Sequence, residues 1–158
     1  MITSGWGRYP QLDCRLSLPQ TQAELRELVR AGSLIPRGAG RAYGDSALNS
    51  ESTVGITRFN QLLGFDSDNG LLTAGAGVQL RDIIATFVRR GWFIRVTPGT
   101  SFVTVGGAIA SDVHGKNHHG AGTFCDHVEQ ITMMIGTGEV VTVSPRHKAD
   151  LFRATCGG

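Results

Sequence analysis

A chain of 158 residues with 41% apolar side chains can bury a core as one domain or as two small subdomains. No apolar run in it approaches the roughly 18 residues of a membrane span. A formal charge of +2, carried by scattered basic residues, makes no stripe of the kind that tracks a nucleic-acid backbone, so a small or lipid-linked substrate is expected and nucleic acid is not. Cys14, Cys125 and Cys156 lie far apart with no CxxC, and they read as free thiols, not as a disulfide framework or a zinc ribbon. The N-terminal MITSGWGRYP lacks the charged and apolar regions of a signal peptide, which makes the cytoplasm the default compartment.

The segment TQAELRELVRAG sets Thr21 and Glu24 at capping-box spacing, with Leu25, Leu28 and Val29 on one face and Gly32 as a stop; it predicts a first helix. SLIPRG follows as a short strand running into a glycine loop, and STVGIT at 52–57 is the next strand. After the turn signal DSDNG, LLTAGAG at 71–77 predicts another strand. VQLRDIIATFVRRG then repeats Leu80, Ile83, Ile84, Phe87 and Val88 at helical spacing, closed by Gly91. Beyond TPGTSF, the small apolar run VTVGGAIAS suits a short helix packed tightly under a ligand or a sheet. A long glycine and histidine loop comes next. VEQITMMIGTGEVVTVSP gives two strands about a GTGE turn, and HKADLFRATCGG begins a helix. The helix faces, Trp6 and Trp92 are assigned to the core. The chain stops in a glycine turn where another strand is expected, so the fold is expected to be incomplete at that end.

Glycine is the outlier, 22 of 158 residues, about twice the average of ~7%. It concentrates in two loops. The first, RGAGRAYGD at 37–45, fails the dinucleotide-fold test, because GxGxxG must open directly into a helix; here Asp45, Ser46, Asn49, Ser50 and Ser52 lead into a strand. It is not a P-loop either, since no GK[ST] follows. Two readings remain for it alone: a nest of backbone N–H groups for an anion, aided by Arg37 or Arg41, and a glycine-rich structural turn. The second loop, PGTSFVTVGGAIASDVHGKNHHGAG, removes side chains at Gly106 and Gly107, where a flat ring can lie against backbone. Together the two loops suit one long cofactor.

GWGR at 5–8, RGAGRAYGD and VTVGGAIASDVHGKNHH together resemble the FAD-binding domain of the p-cresol methylhydroxylase and vanillyl-alcohol oxidase type. Within it they are most similar to the branch that oxidises the 2′-hydroxyl of polyprenylphosphoryl-β-D-ribose on the way to the arabinose donor of cell walls. The resemblance implies an α+β fold of two small subdomains, residues 1–62 and 63–158, with FAD between them and the second incomplete. It implies that the pyrophosphate is wrapped by Pro36, Arg37, Gly38, Ala39, Gly40, Arg41, Ala42, Tyr43, Gly44, Asp45 and Ser46. The ring and ribityl would be lined by Gly99, Thr100, Thr104, Val105, Gly106, Gly107, Ser111, Asp112, Val113 and His114. Arg41 stands where relatives carry a flavin-linking histidine, and Thr100 and Ser101 lie in the region of a linking cysteine, so noncovalent FAD is implied.

The family's pattern also places His114 and Lys116 on the substrate side of the flavin, with Tyr43 near flavin or substrate, and implies a lipid-linked sugar substrate and a partner keto-reductase. Members run to several hundred residues. The chain is therefore expected to be a fragment, a piece of a split enzyme or an FAD-holding module, inactive by itself; another FAD-linked sugar or alcohol oxidase is the alternative activity. For the cluster His114, Lys116, Asn117, His118 and His119 three readings are weighed: a metal site on the i, i+4 histidines, which Gly115 disfavours by weakening a helix; substrate positioning, with His114 as a general base; and a histidine bonded to its own loop. No metal is expected. His127 and His147 are assigned to surface or strand ends, and Cys125 and Cys156 to packed thiols.

Overall fold

The computed structural model describes residues Met1–Gly158. The chain opens with an antiparallel pair, β1 (Ile2–Ser4) and β2 (Gln11–Asp13), that periodicity over so few residues does not signal. β3 (Leu16–Ser17), α1 (Gln22–Arg30), β4 (Ile35–Arg37) and β5 (Thr53–Gly55) then make a parallel sheet of order β3-β5-β4. The Thr21 cap forms as the sequence predicts, its side chain accepting Glu24 N–H at 3.2 Å, while the returning Glu24 Oε2 accepts the N–H of Gln20, one residue before the cap, at 2.7 Å. The central strand is the sheet's buried line, with Thr53 and Val54 fully enclosed.

β6 (Leu62–Asp66) and β7 (Leu71–Ala74) form a hairpin about the DSDNG turn, where the Asp66 carboxylate accepts N–H groups of Asp68 and Asn69. β6 escapes the sequence reading because LLGFD does not alternate: Leu62 and Leu63 are both exposed, and the register shifts between Leu62 and Gly64. α2 (Leu80–Phe87) runs into a 3₁₀ turn that ends at Gly91, whose φ of +83° is the left-handed stop glycine supplies cheaply. Its Leu80, Ile83 and Phe87 close with Val78 on Phe65, Leu72 and Phe124 to form the larger core.

α3 (Val105–Ala110) and the one-turn α4 (His118–Ala121) follow; the hairpin β8 (Ile131–Met134) and β9 (Val140–Val143) then packs with α5 (Ala149–Thr155) around Val141, Val143 and Phe152. The architecture is α+β. No helix is long and apolar enough to cross a membrane. Two expectations are corrected: Trp6 and Trp92 are exposed and do not belong to the core, and α1 buries no residue fully. α1 is held by its polar edge instead, with Arg26 Nε donating to Gly138 O in the β8–β9 turn at 3.0 Å. Arg26→Ala is expected to cost about 1 kcal/mol and lower Tm by about 2–4 °C in a calorimetric melt.

Candidate functional site

The first glycine loop leaves the end of β4 and turns at Gly40 and Gly44, whose φ values of +69° and +61° favour glycine. The two arginines that flank it do different work. Arg37 donates from Nη2 to Ser4 O at 2.7 Å and from Nη1 to Ala47 O at 3.3 Å, a strut between β1 and the far side of the loop. Burial pushes its guanidinium below the ordinary arginine value. Arg41 lies with its guanidinium carbon 4.7 Å from the Trp6 ring centre and 5.4 Å from that of Phe102, and its buried Nε has no protein partner. Of these two, the cation left over for an anion is therefore Arg41, within cation–π range of both the Trp6 and Phe102 rings.

The turn at 5–8 forms one wall. Trp6 N–H donates to Ala42 O at 2.8 Å, and Gly5 is pressed so closely on the carbonyls of Ala42 and Gly44 that a β-carbon has no room. Trp6, Arg8, Arg37, Gly40 and Arg41 line a depression of about 560 Å³ with three guanidinium groups around it. Arg8 has no role in the sequence reading and Trp6 is assigned there to the core; the GWGR motif is the signal that could have placed both at the site. Ala39 and Ala42 are half-buried, while Pro36, Tyr43, Asp45 and Ser46 are exposed. Ser46 Oγ donates to Tyr43 O at 3.2 Å and closes the turn, and the Tyr43 ring stands over Gly7.

The two loops also meet through Gly38. Gly38 lies against Thr104, whose hydroxyl occupies the place a β-carbon at Gly38 would take. Thr104 is 1% exposed and also caps α3, its Oγ1 accepting Gly107 N–H at 3.2 Å. Gly106 is small for a packing reason: a β-carbon there would lie 3.1 Å from the Ala76 side chain and 3.3 Å from Ile56. Gly99 faces open space. Gln79 pairs with Thr104 in an isolated bridge, and its buried Oε1 also lacks a partner.

Thr97, Gly99, His114, Lys116 and Asn117 line a second depression of about 670 Å³. Gly115 is buried under Thr97 O, and Asn117 Nδ2 donates to Arg95 O at 2.9 Å, so the HGKN turn is clamped to the segment before it. His114 is exposed and bridges Thr123; Lys116 is exposed with no bonded partner. His114 and His118 share no helix, since α4 starts at His118; their rings meet edge-on with centres 5.3 Å apart, and His118 Nδ1 is 2.9 Å from Gly115 O. No three His, Cys, Asp or Glu side chains gather as a metal site requires.

Of the remaining loop residues, Ser111 is exposed and Thr100, Val105, Gly107 and Val113 are half-buried. Asp112 accepts Cys125 N–H at 2.9 Å and adopts φ +37°, a strained backbone for a residue with a side chain. His127 Nε2 lies 2.6 Å from Ala121 O, and all three cysteines are free. An unpartnered guanidinium nitrogen on one loop, an unpartnered amide oxygen beside the other, and glycines that bring the loops into contact fit a long cofactor with an anionic middle and a polar ring system.

The FAD binding domain family matches residues 15–144. The chain is 40% identical over 162 residues to decaprenylphosphoryl-β-D-ribose oxidase of Mycolicibacterium smegmatis, covering 98% of this chain and 35% of that protein. Chitooligosaccharide oxidase shares the fold with a TM-score of 0.82 at 19% identity, over 93% of this chain and 33% of that one. Glucooligosaccharide oxidase from Acremonium strictum, whose FAD is 6-S-cysteinyl and 8α-N1-histidyl, does so with a TM-score of 0.81 at 23% identity, over 93% and 32%. The chain spans about a third of the length of each of these proteins.

Proposed function

This chain belongs to the FAD binding domain family, and from that premise we propose that it holds FAD noncovalently across the seam of its two glycine loops, as part of an oxidoreductase acting on a secondary sugar hydroxyl. The observation that carries the reading is the contact of Gly38 with Thr104 beside the unpartnered Arg41. FAD, when bound, supplies the acceptor for the hydride of a carbinol C–H. The chain's own part is positional. Arg41 neutralises the diphosphate between Trp6 and Phe102, Gly38 to Gly44 present backbone N–H groups, and α3 with Gly99 supports the ring. Residues 1–62 and 63–158 are the two halves of the cradle. His114 and Lys116 hold the hydroxyl and its proton at the second depression, with Tyr43 at the rim.

The substrate we favour is a polyprenylphosphoryl ribose, oxidised at its 2′-hydroxyl and handed to a keto-reductase. It is supported by the name of the mycobacterial relative and by a lining at the second depression with no apolar side chain except Pro98, suited to a polyol phosphate. A module that holds FAD without turnover is the second reading, favoured by the exposure of His114 and Lys116.

The test is a titration with FAD followed by acid denaturation. Flavin absorbance on the protein, a thermal shift, and complete release of the flavin into the acid supernatant are the expected results. A colourless protein with no shift overturns FAD binding, and flavin that stays with the precipitate overturns noncovalent attachment.

A further inference from the structure

The carbonyl of Ile109, near the end of α3, takes two donors from distant parts of the chain. The Cys125 thiol reaches it at 3.5 Å and Gly157 N–H at 3.3 Å. A β-carbon at Gly157 would lie 3.2 Å from that of Asp112, the same residue whose carboxylate holds Cys125 N–H. α5 thus delivers its C-terminal end to Cys125, because Gly157, the neighbour of Cys156, bonds the same carbonyl as the Cys125 thiol. Cys125 is 8% exposed and Cys156 is half-buried. Burial first, and then the Cys156 thiol and the Asp112 carboxylate, push the Cys125 thiol above its ordinary range, so it rests protonated. Cys14 is buried in the N-terminal part of the fold, beside the β1–β2 pair.

We propose that Cys125 and Cys156 are a dithiol that closes to a disulfide under a peroxide oxidant and thereby fixes the end of α5 to the segment that carries His114. Cys156, the more accessible sulfur, takes one oxygen from hydrogen peroxide and becomes a sulfenic acid, releasing water. The Cys125 sulfur then attacks it; the S–S bond forms, the S–O bond breaks, and the departing hydroxide leaves with the Cys125 proton as a second water. Two thiols lose two electrons and one peroxide gains them. The consequence reaches the site through backbone pairing, because Phe124 N–H bonds Val113 O at 2.9 Å and His114 bridges Thr123. Whatever immobilises Cys125 immobilises that pairing.

The experiment treats this chain with hydrogen peroxide and reads intact mass, a non-reducing peptide map and a thermal melt. Loss of two hydrogens, one peptide pair joined through Cys125 and Cys156, reversal by dithiothreitol and a Tm rise on the order of 5 °C are expected. Cys14→Ser should keep the whole response, and Cys156→Ser should lose the bridge and the Tm rise. A bridge through Cys14, oxygen added stepwise to Cys156 without a bridge, or an unchanged mass overturns the proposal, and the peptide map of the unsubstituted chain decides it even if a variant fails to fold.

Discussion

His114→Ala is expected to lower turnover about 10²- to 10⁴-fold in an active form of the protein, with flavin per polypeptide unchanged. The expectation rests on where the imidazole stands. It is exposed on the rim of the second depression, while the residues that bring the two loops together, Gly38 and Thr104, lie elsewhere. Lys116, with no protein partner, should give a smaller loss on replacement by alanine, about 10- to 100-fold, the range of a hydrogen bond to a charged group. Arginine at that position should recover part of it, since the charge returns. The measurement is single-turnover reduction of bound flavin beside flavin content. Loss of flavin with unchanged turnover per flavin would assign both side chains to holding the loop.

The second large effect concerns the meeting of the loops. Gly38→Ala is expected to weaken FAD binding about 10- to 100-fold, the equivalent of the 1–3 kcal/mol that overpacking a filled site costs. The new methyl runs into Thr104 Oγ1, and Thr104 is fully buried, so the hydroxyl has nowhere to swing. Gly38 does not have a left-handed backbone, so the effect is steric alone. A second substitution separates it. In Gly38→Ala with Thr104→Ala the clash is gone, and only the lost cap of α3 remains, about 1 kcal/mol. Affinity in the double variant should exceed that of Gly38→Ala, although Thr104→Ala alone is harmful. Fluorescence titration of FAD against the four proteins gives the cycle, and simple additivity of the two losses would show that the loops do not touch in solution.

Several elements were legible locally. Thr21 and Glu24 marked the start of α1, Leu80, Ile83 and Phe87 marked the buried face of α2, and the GTGE turn marked the β8–β9 hairpin. Each depends on neighbours within a few residues, and side-chain periodicity records those. β6 was missed because Leu62 and Leu63 are both exposed, and a strand without alternation has no periodic signature.

By itself the sequence determined that the chain carries two glycine loops, the second running through a short apolar helix, that the first is neither a P-loop nor a dinucleotide fingerprint, and that their motifs are those of an FAD-binding family. Which arginine is free was decided by tertiary structure, since Ser4 and Ala47 consume Arg37 and leave Arg41 between Trp6 and Phe102. So were the exposure of Trp6, the contact of Gly38 with Thr104 and the approach of Cys156 to Cys125. Apart from the Arg37–Ala47 bond, these contacts join residues more than 30 positions apart. No hydrophobic period or capping signal spans such a separation, because the contact exists only after the sheets and helices between have packed and fixed the direction of each loop.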